Sequence, residues 1–173
     1  MVTQPTVDAR TERVWAELRQ IPDPEIPAIS VVDLGVIGDV RLDGNHLEVD
    51  LLPTFIGCPA IGVMREQIAE RLGELGFVND VSVKVTFDPP WTSERITPAG
   101  RQRLRLGGFA PPATAPTGPA LIGIDQLAVL PVAECPYCGS TRTTLDNPFG
   151  PTLCRAIYHC DACRQPFEQF KRV

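Results

Sequence analysis

Two short cysteine pairs constrain this chain more than any other feature: Cys135-Pro136-Tyr137-Cys138 and, further on, Cys160-Asp161-Ala162-Cys163. A C-x-x-C pair can grip a metal ion from one side, and the interval between the pairs suits a short hairpin. A segment this small buries too little apolar surface to fold unaided, so a bound metal supplies the missing free energy. The spacing therefore predicts a C-terminal ribbon in which Cys135, Cys138, Cys160 and Cys163 hold a structural zinc. Tetrahedral thiolate sites also accept iron, and iron here would make the ribbon an electron carrier. A site closed by four thiolates has no open coordination position, so any transfer chemistry must lie elsewhere in the chain. Cys154 and His159 stand near the ligands as spares. His159 directly precedes Cys160 and would point away from the metal if Cys160 points in. Cys154 reads as a buried thiol, with redox sensing or ligand exchange as the sharper alternative.

Two disulfides would be the competing use of the pairs, but secretion is not indicated. Met1-Val2-Thr3-Gln4-Pro5 has neither a basic region nor an apolar core like that of a signal peptide. No apolar run approaches the length of a membrane span. The net charge of −5 argues against nucleic acid as the main partner, since phosphate binding wants a basic surface. The expectation is a cytoplasmic protein with reduced cysteines, no nucleic-acid partner and no membrane partner.

Prolines mark the organisation. Residues 107–119, GGFAPPATAPTGP, read as a linker, which places an α+β domain over 1–106 and the zinc ribbon over 120–173. Within 1–106, Val14, Trp15 and Leu18 suggest a first helix over Val7–Gln20, ended by Pro22 and Pro24. Val36–Leu42 and His46–Leu52 alternate around Asp43-Gly44-Asn45 and predict a hairpin, with Leu47, Val49 and Leu51 on one face. Ile61, Met64, Ile68, Leu72 and Leu75 form one stripe of a helix over Pro59–Leu75, closed by Gly76. Val81–Asp88 reads as a strand with Val81, Val83, Val85 and Phe87 inward. A short helix over Ile96–Leu106 would carry Arg101, Arg103 and Arg105 on a solvated face or as a docking patch for an acidic partner. The fold class expected is α+β, one small sheet with helices on one face, followed by the ribbon.

Two features of this domain can carry chemistry. Cys58 stands between a strand and a helix, before a proline suited to the first helical position, and so reads as the N-cap. Helix N–H groups would favour its thiolate, a nucleophile or metal ligand; filling space at the helix start is the alternative. In Ile21-Pro22-Asp23-Pro24-Glu25-Ile26-Pro27 three prolines stiffen the chain and present two carboxylates. These either bind a metal or cap turns.

These motifs carry a resemblance. Asp23-Pro24-Glu25-Ile26-Pro27, Val32-Asp33-Leu34-Gly35-Val36-Ile37 and Cys58-Pro59 resemble the cytosolic iron–sulfur assembly factors that include the bacterial SufT-type proteins. The match covers about the first hundred residues. With the ribbon added, the whole chain resembles the small accessory subunits of phenylacetyl-CoA epoxidase systems, which act in phenylacetate breakdown. The resemblance implies a non-catalytic role in supplying or maturing the iron or iron–sulfur centres of oxygenase or reductase subunits. It also implies Cys58, Asp23 and Glu25 as a transient ligand set for iron or a cluster.

The residues exclude other roles in such a system. There are only two histidines, so no di-iron carboxylate bundle can be built. Nucleotide-binding loops and ferredoxin cysteine spacing are also missing. Three readings remain: an assembly factor using Cys58, an electron carrier with iron in the ribbon, and a docking module with a packed Cys58. A homodimer sharing one metal at Cys58 is a further arrangement the sequence allows.

Overall fold

The computed structural model describes residues 9–113 and 132–172. Val7 and Asp8 of the expected first helix, residues 114–119 of the expected linker, and residues 120–131 and Val173 of the expected ribbon domain lie outside the described residues. The chain divides into two units, Met1–Trp91 and Thr92–Val173.

The first unit follows the sequence pattern in its order of elements: α1 (Ala9–Leu18), β1 (Ile37–Asp43), β2 (His46–Leu51), α2 (Ala60–Gly73) and β3 (Asp80–Val85). β1 and β2 pair antiparallel around the turn at Gly44, whose φ is +58°. β3 returns through α2 to lie parallel to β2, with Leu47 beside Val81 and Leu51 beside Val85. The sheet order is β1-β2-β3. Leu47, Val49 and Leu51 are fully buried, as alternation requires, and share the buried core with Met64, Ile68 and Leu72 of α2 and Val14 and Leu18 of α1. The other face of the sheet is ionic. Arg41 reaches Glu48 and Asp50 across the hairpin, and Lys84 Nζ lies 2.6 Å from Glu48.

Three local expectations change. α2 ends at Gly73 with Glu74 as its C-cap, and Gly76 is not among the glycines of positive φ. The cap carbonyls are met by a tighter last turn, in which the Glu74 N–H donates to Leu72. β3 stops at Val85, and Val85 and Phe87 are 39% and 55% exposed rather than inward. β3 is an edge strand, so its end extends past the cover that shields β2.

The second unit holds a short 3-10 turn (Ser93–Arg95), α3 (Pro98–Leu106), β4 (Phe109–Ala110), β5 (Thr143–Asn147), β6 (Arg155–Cys160) and β7 (Pro166–Phe170). Thr97 caps α3, its Oγ1 accepting from the Gly100 N–H at 2.9 Å, and proline follows at the first helical position. The sheet order is β4-β7-β6-β5. The expected boundary at residues 106 and 107 is therefore displaced: the units divide after Trp91. The reason is nonlocal pairing. Phe109 and Ala110, inside the expected linker, pair with Glu168 and Gln169 of β7. Arg101 is no solvated arginine either. Its guanidinium donates to the carbonyl oxygens of Ser93 and Pro112, both at 2.7 Å. The ribbon core is Ala110, Ala133, Ala156, Tyr158 and Phe167 around buried cysteines, with Tyr158 stacked on Phe167 at 5.7 Å.

Candidate metal centre

Cys160 ends β6, and Cys163 follows in the turn to β7. Cys135 and Cys138 sit on the matching turn before β5. The Sγ atoms of Cys135 and Cys163 are 3.7 Å apart, and those of Cys138 and Cys160 are 3.6 Å apart. All four sulfurs lie within 4.8 Å of one another. A tetrahedron with zinc–sulfur bonds of about 2.3 Å has edges of about 3.8 Å, so the donor set fits such an ion.

Backbone N–H groups complete the arrangement. Cys138 Sγ accepts from Ser140, Cys163 Sγ from Gln165, and Cys160 Sγ from Cys163 and Ala162. These donors stabilise thiolate. They help hold the Cys160 thiol down at about 6, the Cys163 N–H contributing most. Desolvation and neighbouring sulfurs outweigh them at Cys138, which is pushed up, and at Cys163, which is pushed up to about 12. Cys154 and His159 are outside the cluster. Cys154 is buried with its sulfur 3.1 Å from Thr152 Oγ1. His159 lies opposite Thr144 and Pro166 in the sheet, its side chain alternating away from the Cys160 face.

The second constellation is in the first unit. β2 leads through Leu52 and Thr54 into a turn from Phe55 to Cys58, closed by a Cys58 N–H to Phe55 carbonyl bond of 3.3 Å. Gly57 takes φ +79° at the third position, as a type II turn demands. Pro59, not Cys58, is the N-cap of α2, so the thiol stands one residue further out than expected. It still receives the backbone N–H groups of Ala60 and Ile61. The net effect is nonetheless opposite to the expected activation. Burial pushes the Cys58 thiol up, and the carboxylates of Glu25 and Asp23 add to the rise. Half-burial in apolar surroundings, next to two negative charges, outweighs two N–H groups.

Glu25 and Asp23 thus lie near enough to Cys58 for their charges to act on its thiol, although the three do not form a donor cluster like that of the ribbon cysteines. The Asp23 segment is tied down first. Asp23 N–H donates to the Ile29 carbonyl at 2.8 Å, and Pro22 bridges to Ser30. Asp23 is buried, and its Oδ1 accepts from the N–H groups of Glu25 at 2.9 Å and Ile26 at 2.7 Å. It is thus the pin of a turn that presents Glu25. Asp33 plays a similar local part: its N–H donates to Ser30 Oγ at 3.0 Å, and Ser30 Oγ donates back to Asp33 Oδ2 at 3.1 Å. Sequence reasoning passed over Trp91, whose buried indole N–H donates to the Leu34 carbonyl at 3.1 Å and locks the Asp33-Leu34-Gly35 turn. A tryptophan preceded by two prolines was the only available signal.

Residues 124–171 match the family model described as the PaaD zinc beta ribbon domain, and residues 11–85 match that of an iron-sulfur cluster assembly protein. The chain is 41% identical, over 95% of its length, to an Escherichia coli protein described as a 1,2-phenylacetyl-CoA epoxidase subunit, and covers 94% of that protein. It is 30% identical to a Bacillus subtilis protein described as the Fe-S protein maturation auxiliary factor YitW, over 52% of this chain and 88% of the other. A crystal structure of a domain of unknown function from Bacillus anthracis superposes with a TM-score of 0.51 at 30% identity, over 54% of this chain and 89% of that one.

Proposed function

The chain belongs to the PaaD family of 1,2-phenylacetyl-CoA epoxidase subunits, and from that premise we propose that it is an accessory subunit that assists assembly of the epoxidase system's iron or iron–sulfur centres. Its partners in this reading are the oxygenase or reductase subunits, and the metal or cluster is cargo. The observation that supports the proposal is the match of residues 11–85 to an iron-sulfur cluster assembly protein, together with the charges of Glu25 and Asp23 acting on Cys58 beside the start of α2.

The chemistry follows from that arrangement. Without cargo, Cys58 stays a thiol, because burial and the two carboxylates oppose its ionisation. A cation arriving there offsets the carboxylates and takes the thiolate, releasing a proton. Asp23 positions the loop through its backbone bonds, while Glu25 and Cys58 meet the cargo. So small a ligand set leaves positions for a client's own ligands, and transfer goes toward the more complete set. The ribbon is structural in this reading, with zinc on Cys135, Cys138, Cys160 and Cys163.

The test is Cys58→Ala in the full chain. The variant keeps its fold and its ribbon metal, and client subunits matured with it carry less iron than those matured with the parent. Unchanged client iron would sink the assembly role of Cys58.

A further inference from the structure

β3 leaves one edge of the three-stranded sheet open among the described residues. The Thr86 N–H donates to the Leu51 carbonyl at 3.0 Å, which sets the parity of the strand. Even-numbered Ser82 and Lys84 turn their backbone groups toward β2. The N–H and C=O groups of Val81, Val83 and Val85 therefore face the open edge. An edge of this kind is a template for another strand unless it is blocked. No proline interrupts Asp80–Val85, and apolar surface on Val85 and Phe87 lies exposed at its end.

The charges identify the occupant. Reading outward from Ser82, the strand carries valine on each side, then Asp80 on one side and Lys84 on the other. That pattern is complementary to itself when reversed. We propose that β3 is a homodimer interface, in which β3 of a second copy adds antiparallel about a twofold axis at Ser82. Val81 then pairs with Val83 of the other copy through outward backbone groups, the hydrogen-bonded kind of pair. Twice across the axis, Asp80, which meets His46 Nδ1 at 2.8 Å, stands opposite Lys84 of the other copy, which also holds Glu48 at 2.6 Å. This is the closer kind of pair, and each cross-copy contact extends an ion pair within the chain. A parallel in-register pairing would instead set Asp80 against Asp80. The two sheets merge into one of six strands with both apolar faces on the same side, each covered by its own α1 and α2.

The arrangement has a consequence for the site. Cys58 follows β2, which runs parallel to β3. Reversal of the second copy puts the two Cys58 loops at opposite ends of the merged sheet. Each copy holds its own cargo, and no metal is shared between them. The interface does not depend on the assembly role, so the two stand or fall separately.

The experiment is sedimentation equilibrium of the full, metal-loaded chain, joined to amide hydrogen exchange. The expected result is a dimer whose Val81, Val83 and Val85 amides gain protection as concentration rises, while Ser82 and Lys84 are protected throughout. Lys84→Asp raises the dissociation constant about tenfold or more by turning two attractions into repulsions. The double variant Asp80→Lys with Lys84→Asp recovers the dimer, which separates a lost interface from a lost fold. A chain that stays monomeric at all concentrations overturns the proposal. So does a dimer insensitive to Lys84→Asp, or a double variant as weak as the single.

Discussion

Gly139 and Arg164 hold the same place in the two halves of the metal centre. Each follows the second cysteine of its pair, with φ of 71° and 59°. Each donates its N–H to the carbonyl of the first cysteine, Gly139 to Cys135 at 2.9 Å and Arg164 to Cys160 at 2.8 Å. A side chain in this left-handed region costs about 1 kcal/mol, which glycine avoids. Arg164→Gly is expected to stabilise the ribbon by about 0.5–1 kcal/mol, and Gly139→Ala to destabilise it by about 1 kcal/mol. Thermal unfolding of the two variants checks both signs.

Metal content is the next expectation. Four sulfurs within 4.8 Å predict about one zinc per purified chain. Cys160→Ser removes a ligand and should release the metal and disorder the Tyr158–Phe167 stack, read by elemental analysis and near-ultraviolet dichroism. Stoichiometric iron with acid-labile sulfide would instead favour an electron or cluster carrier. Acid should also strip the site: protonation competes with the metal for all four sulfurs, so zinc release rises as pH falls.

Asp23 should prove structural in a measurable way. Its buried Oδ1 accepts two N–H bonds, and Asp23→Ala leaves both donors without it, at a cost of about 1–3 kcal/mol. Asp23→Asn keeps an acceptor and should cost less. Denaturant unfolding distinguishes the two. Equal, near-parental stability in both variants would mean that the carboxylate does not hold the turn.

The ionic face of the first sheet makes a pH prediction. Lys84 first, then Arg41, lowers the Glu48 carboxyl from 4.5 to about 2. A depressed carboxylate stabilises the fold above its unfolded pKa and loses that contribution as pH falls through the folded value. Stability from this network is therefore full above about pH 5 and fades toward pH 2. Glu48→Gln should flatten the acid limb of a stability-against-pH curve at low salt, and added salt should shrink the difference.

The candidate sites were legible to unequal degrees. The metal centre could be read because C-x-x-C spacing maps directly onto knuckle geometry, and Cys135, Cys138, Cys160 and Cys163 do converge. The hairpin and α2 were visible because periodicity is local. The Cys58 constellation was half visible: Cys58, Asp23 and Glu25 could be named, but not the sign of the thiol's shift. That sign depends on burial and on carboxylates more than thirty residues away in sequence. Trp91 was missed because its partner, the Leu34 carbonyl, is 57 residues distant.

By itself the amino-acid sequence determined what short-range chemistry can encode: the alternation of β2, the apolar stripe of α2, the turn at Gly44 and the four cysteines that converge. The tertiary structure decided what depends on pairing across the chain. It drew Phe109 and Ala110 out of an apparent linker and into a strand beside β7, moving the boundary to Trp91. It made β3 an edge, which left Val85 and Phe87 exposed despite a faultless alternating pattern. Periodicity specifies which residues share a face, but only the neighbours that reach that face determine whether it is buried.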